Sequence, residues 1–249
     1  MQAQQTTVDP SEIAKFEAMA AEWWDENGKF KPLHMLNPCR LDYITTQIAG
    51  EFDRDLSAPM PFKGLRILDI GCGGGILAES MAHADARVTA IDMAEGPLAV
   101  ARLHQLESGA EVDYRKSTAE ALAAAEPASF DVVTCLEMLE HVPDPAAVIA
   151  SCKQLVKPGG HVIFSTINRN PKSFLFAVVG AEYILRLLPK GTHEYEKFIR
   201  PSELEAWART AGLELRDSIG MQYNPFTRVY SLGDNVDVNY LMYFQRPAD

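Results

Sequence analysis

The sequence predicts an α/β fold: a doubly wound, Rossmann-like, mostly parallel sheet of seven strands with an antiparallel edge. Three observations predict it. Short apolar runs alternate with amphipathic helical stretches between residues 65 and 167, the pattern of a parallel sheet covered on both faces. The first run ends in the glycine cluster "DIGCGGG", as strand–helix turns that approach a ligand do. The last third then gives two strands without a helix between them, "LELRDSIGM" and "VDVNYLMYFQ", which suits antiparallel pairing.

The elements follow in order. "DPSEIAKFEAMAAEWWDENG" is a helix that Asp9 or Ser11 can cap, and "NPCRLDYITTQIAGEF" is a second, so N-terminal helices cover about 9–55. "SAPMPFKG" is a connector of turn residues. "LRILDI" is the first strand, followed by the helical "ILAESMAHA". "RVTAID" and "GPLAVARLHQLESG" repeat the pair, and "VDYRKS" is the third strand. "FDVVTCL" is the fourth, then come "LEMLEHV", the helix "DPAAVIASCKQLVKPGG" and the fifth strand "HVIFSTI". A helical, insertion-like segment covers about 170–200, and "PSELEAWARTAG" is the last helix. The expected organisation is a single domain over 1–249.

Bulk properties narrow the partners. The 249 residues can bury one substantial core, and the net charge of −11 argues against a nucleic-acid partner. Four scattered cysteines without a C-x-x-C pair fit a reducing compartment. The polar start has no apolar signal core, and no apolar run reaches the ~20 residues that span a bilayer. The expected location is the cytoplasm.

The glycine loop decides between two ligand classes. A dinucleotide fingerprint counted from Gly71 needs glycine or alanine where Ile76 stands. That disfavours a nicotinamide dehydrogenase. Asp92 ends the second strand, where an acid can accept both hydroxyls of a ribose; on its own it would read as a helix cap. Ribose recognition without a pyrophosphate site points to S-adenosylmethionine. Asp69 through Gly75 resembles the first motif of the class I methyltransferases, an acidic residue, one residue, then G-x-G-x-G.

In such a sheet the fourth strand crosses to the far side of the first, and ligands bind in the crevice this leaves. "LEMLEHV" sits at its mouth, with Pro143 restricting Val142. Steps of three and four put Glu137, Glu140 and His141 on one face of a single helical turn. A solvated face is the bland alternative. A phenol or catechol hydroxyl has a pKa near ~10 and is little ionised at neutral pH. A divalent cation on two carboxylates and an imidazole, Mg2+ or Mn2+ by its carboxylate ligands, lowers that pKa; without metal, His141 serves as general base, oriented by a glutamate.

Longer stretches sharpen the resemblance. "KFEAMAAEWWDENGKFKPLHMLNPCRLDYI", "LDIGCGGGILAESMA", "LEMLEHVPDP", "FSTINRNPKS" and "VVGAEYILRLLPKGTHEYEKFI" together resemble the ubiquinone-biosynthesis O-methyltransferases, from about Ile13 to Tyr240. The resemblance implies O-methylation of a polyprenyl catechol and of a demethylated ubiquinol. It implies cofactor contacts at Arg40, Gly71, Asp92 and Leu136, with Arg40 on the methionine carboxylate and Leu136 where the family also carries methionine. It also implies divalent-metal ligands at Glu137, Glu140 and His141. Other enzymes of the same pathway are expected partners.

Two features stay open between function and packing. "SFLFAVVGAEYILRLLP", with one i,i+4 pair of Glu182 and Arg186, is either a core helix or a lid over a prenyl tail that touches the inner face of the membrane, peripherally and reversibly. Trp23 and Trp24 either cover the cofactor or pack. Two further functions compete: a ring C-methyltransferase of the same pathway, which needs no catechol chelation, and a non-catalytic S-adenosylmethionine-binding scaffold.

Overall fold

A computed structural model describes residues 7–173, 195–224 and 227–248. The helices are α1 (Pro10–Met19), α2 (Lys31–Glu51), α3 (Ile76–His83), α4 (Glu95–Ser108), α5 (Ala119–Ala125), α6 (Pro145–Leu155), the single turn α7 (Pro171–Ser173) and α8 (Pro201–Ala211). The strands are β1 (Arg66–Ile70), β2 (Arg87–Asp92), β3 (Val112–Lys116), β4 (Phe130–Leu136), β5 (Val156–Ile167), β6 (Glu214–Asn224), β7 (Val229–Gly233) and β8 (Asn239–Gln245).

The strands form one sheet in the order β3-β2-β1-β4-β5-β8-β6-β7. The first five are parallel, and β8, β6 and β7 close the edge antiparallel. Among the described residues the sheet therefore has eight strands, one more than the seven expected, the extra one being β7 at the edge. Val229–Gly233 is only five residues long and half-exposed, so it has too little apolar alternation to stand out. Strand β1 is buried at four of its five positions, as a central strand covered on both faces must be. Its Ile67, Leu68 and Ile70 divide between the two cores, which lie on opposite faces of the sheet.

Local chemistry explains the helix ends. Asp9 accepts the amide of Ser11 ahead of α1, and Asp144 accepts the amide of Ala147 ahead of α6. Each is followed by proline at the first helical position, where no donor is lost. Two boundaries differ from expectation. Helix α2 begins at Lys31 and runs through Pro38, because Asn37 does not cap: its side chain donates to Ser80 Oγ and accepts from Arg40 Nε. Helix α6 stops at Leu155, and "VKPGG" opens β5 instead of closing the helix. Helix α5, unannounced in the sequence, starts from Thr118, whose Oγ1 accepts the amide of Ala121. The segment of about 170–200 falls largely on 174–194, outside the described residues, and so does the Glu182–Arg186 pair.

Candidate active site

The carboxyl ends of β1, β2 and β4 open into one cavity, about 1170 Å³ counting the space open to solvent. Its wall includes Arg40, Gly71, Asp92, Leu136, Glu137 and His141. Six of the seven residues singled out in the sequence thus meet in one place. Glu140 does not reach this wall.

One side of the cavity is built by the glycine loop. Gly71 and Gly73 take φ of +73° and +53°, which side chains rarely adopt. Space is as decisive as backbone: a Cβ on Gly73 would stand 2.0 Å from Cζ2 of Trp23. The Asp92 carboxylate accepts the amides of Gly73 (2.9 Å) and Ala94 (2.8 Å), tying the ends of β1 and β2 together. Burial raises its pKa, against the pull of these amides. Asp69 lies deeper, accepts the hydroxyl of Thr134 at 2.7 Å, and is raised to about 6 by burial. Arg40 is buried nearby; burial lowers its pKa while the charges of Glu137 and Asp69 oppose that.

The turn after β4 departs from expectation. Only Leu139–His141 form a 3-10 turn, and Glu137 has φ +50°. The three side chains therefore do not share one face of a helical turn. The left-handed residue, costly without glycine, points the Glu137 amide at Ser165, and its carboxylate accepts the Ser165 hydroxyl at 2.8 Å. Glu140 is buried: Oε2 accepts from Thr166 at 2.8 Å, while Oε1 has no partner. His141 pairs through Nδ1 with Glu12 Oε2 at 3.0 Å. Burial lowers the His141 pKa, but Glu12, Glu140 and Glu137 outweigh it and the net shift is upward. Glu137 is pushed to about 7 by burial and by the charge of Glu140.

Among the described residues, no group of three or more histidines, cysteines or carboxylates is gathered to hold a metal ion. The donors still fit a divalent cation in kind. Glu140 offers a buried oxygen without a partner, and the two carboxylates repel one another.

The N-terminal segment supplies what the sequence reading left open or missed. Trp23 is 6% exposed and packs against the glycine loop and Phe30, and Trp24 Nε1 donates to Gly74 O at 2.9 Å. Trp23 both lines the cavity and packs, whereas Trp24 packs on His104 behind the loop. Glu12 was not foreseen, since nothing in local spacing links it to a histidine 129 residues away.

A family model described as a methyltransferase domain matches residues 44–218. A ubiquinone biosynthesis O-methyltransferase of Pseudomonas aeruginosa (strain UCBPP-PA14) is 62% identical over 243 residues, 98% of this chain and all of that protein. Its counterpart from Roseobacter denitrificans is 61% identical over 249 residues, the full length of both. The chain belongs to the ubiquinone biosynthesis O-methyltransferases. Among solved structures, a SAM-dependent methyltransferase from Thermotoga maritima aligns with a TM-score of 0.65 at 19% identity, covering 94% of this chain and 99% of the other. Magnesium protoporphyrin IX methyltransferase from Synechocystis, solved with bound S-adenosylhomocysteine, gives 0.58 at 17% identity over 83% and 81%. These distant structures share the class I methyltransferase fold with the family.

Proposed function

We propose that this chain moves the methyl group of S-adenosylmethionine to a ring hydroxyl of polyprenyl catechol and demethylubiquinol intermediates, assisted by a divalent cation. One observation carries the reading: the wall with Asp92 and the glycine loop and the wall with Glu137 and His141 bound the same cavity. Donor and acceptor can therefore meet without leaving shelter.

When bound, S-adenosylmethionine supplies an electrophilic methyl on a sulfonium, and a cation held by Glu137, Glu140 and His141 would favour the phenolate. The protein's own groups do the rest. Asp92 receives the ribose hydroxyls, and Arg40 pairs with the methionine carboxylate. Leu136 packs beside the cofactor. Trp23 and Phe16 exclude water, which strengthens every charge interaction inside. His141 faces the acceptor and takes its proton where no metal is held. The acceptor is lipid-soluble, so contact with a membrane surface is peripheral; no helix among the described residues is long and apolar enough to cross one.

Labelled methyl transfer to a short-chain demethylated quinol, with and without cation, tests the reading. Label on a ring oxygen supports it. Label on a ring carbon would make the protein a C-methyltransferase, and cofactor binding without transfer would make it a scaffold.

A further inference from the structure

We propose that Glu12 and Phe16, one turn apart on α1, clamp the His141 ring so that Nδ1 carries the proton and Nε2 faces the acceptor. Glu12 is thus a positioning residue for the reaction. The inference rests on the function proposed above, but its decisive measurement does not need turnover.

Two contacts of different kind come from one helix face. Glu12 Oε2 lies 3.0 Å from His141 Nδ1. Phe16 meets the same ring edge-on, with centroids 5.2 Å apart and planes at 87°. A carboxylate accepts only, so a neutral imidazole bonded to it must carry its proton on Nδ1. Nε2 is then the nitrogen that the ring can offer to the cavity it lines. Such a bond fixes both the tautomer and the angle of the ring, and the requirement is the same whether Nε2 takes a proton or binds a cation.

Glu12 itself is held from other sides. It is 5% exposed, and Oε1 accepts from Lys15 at 3.0 Å and from Lys197 at 2.9 Å. His141 and the two lysines keep its carboxyl well below the usual carboxylate range. A group needed only to dock α1 would find its partners in those lysines. The bond to His141 adds direction to a ring in the reaction cavity.

The test compares Glu12→Gln with Glu12→Ala. A glutamine oxygen can still accept Nδ1–H; an alanine cannot. Long-range 1H–15N spectra of the imidazole, taken where the ring is neutral, should show Nδ1–H in the parent and in Glu12→Gln, and mainly Nε2–H in Glu12→Ala. Turnover at saturating acceptor should fall between about tenfold and a hundredfold in Glu12→Ala and be largely restored in Glu12→Gln, while S-adenosylhomocysteine affinity changes less than about twofold. If Glu12→Ala does not fold, Glu12→Asp keeps a charge for Lys197 but draws the carboxylate back, and should show the same spectral loss. Persistence of Nδ1–H in Glu12→Ala, or in Glu12→Asp where that replaces it, overturns the clamp. Should the parent protein transfer no methyl, the function fails while the spectra still decide the clamp.

Discussion

Glu17 on α1 closes the first turn of α4 through both carboxylate oxygens, Oε1 on the amide of Glu95 at 2.6 Å and Oε2 on that of Gly96 at 2.8 Å. The residue before α4 is Ala94, which has no side chain to cap with. The cap therefore arrives from 78 residues away, and an acid at a helix N-terminus is where the dipole favours it. Because Trp23 and Trp24 follow on the same segment, this bond also holds them over the glycine loop.

Glu17→Ala should accordingly cost from a few tenths to about 1 kcal/mol of stability, the range for an exposed acid at a helix N-terminus. It should also speed release of S-adenosylhomocysteine by loosening the tryptophans. Stopped-flow tryptophan fluorescence reads the second effect. An unchanged release rate would mean that α1 is seated by its apolar contacts alone.

Gly73→Ala tests the close approach of Trp23. The added methyl meets the indole 2.0 Å from Cζ2, and the backbone already has φ +53°. The ring has to leave or the loop has to move. Calorimetric titration should show loss of cofactor binding, and tryptophan emission should shift red as Trp23 becomes wetter. Wild-type affinity with unshifted emission would contradict the packing.

Much of this was legible in the sequence, and the missing parts share a cause. Strand–helix alternation and the Asp69–Gly75 spacing are local patterns; the alternation matches β1 to β5, and the glycine loop lines the cavity together with Asp92. The Glu137–His141 spacing implies an α-helical turn, whereas Glu137 turns left-handed to reach Ser165. Helix α2 starts at Lys31, ahead of the expected Asn37, and runs through Pro38, a residue that local pattern disfavours inside a helix. Glu12 and Glu17 act across 129 and 78 residues. No spacing rule reaches that far.

Acid should distinguish Asp69 from surface carboxylates. Burial raises it to about 6 in the fold, whereas an unfolded aspartate titrates near ~4. Between those values the native state holds a proton that the unfolded chain has released. Stability from this group is thus fully present below about pH 4 and is lost as pH rises through about 6. Asp69→Asn removes the dependence and leaves Thr134 an oxygen to donate to. Melting of ligand-free protein from pH 4 to 8 should show the variant gaining above pH 6, by up to about 3 kcal/mol, and matching the parent near pH 4. Parallel curves would place the shift elsewhere.

Cation binding can be read without catalysis. Glu140 keeps one buried oxygen without a partner, and its charge pushes up the pKa of Glu137 even though Arg40 and His141 pull the other way. Protein stripped with EDTA should melt higher when Mg2+ or Mn2+ is restored, by about 2.7 kcal/mol at a hundred times the dissociation constant. Glu140→Gln removes one charge and one ligand while leaving an oxygen for Thr166 to donate to. The variant should lose the cation-dependent gain and, in EDTA, be no less stable than the parent, since a buried charge without full pairing is costly. Turnover should follow the same order, abolished by chelation and restored by cation. A parent protein whose melting and methyl transfer both ignore EDTA would leave proton removal to His141 alone, and Glu140 would then be a structural partner of Thr166 in the wall behind the site.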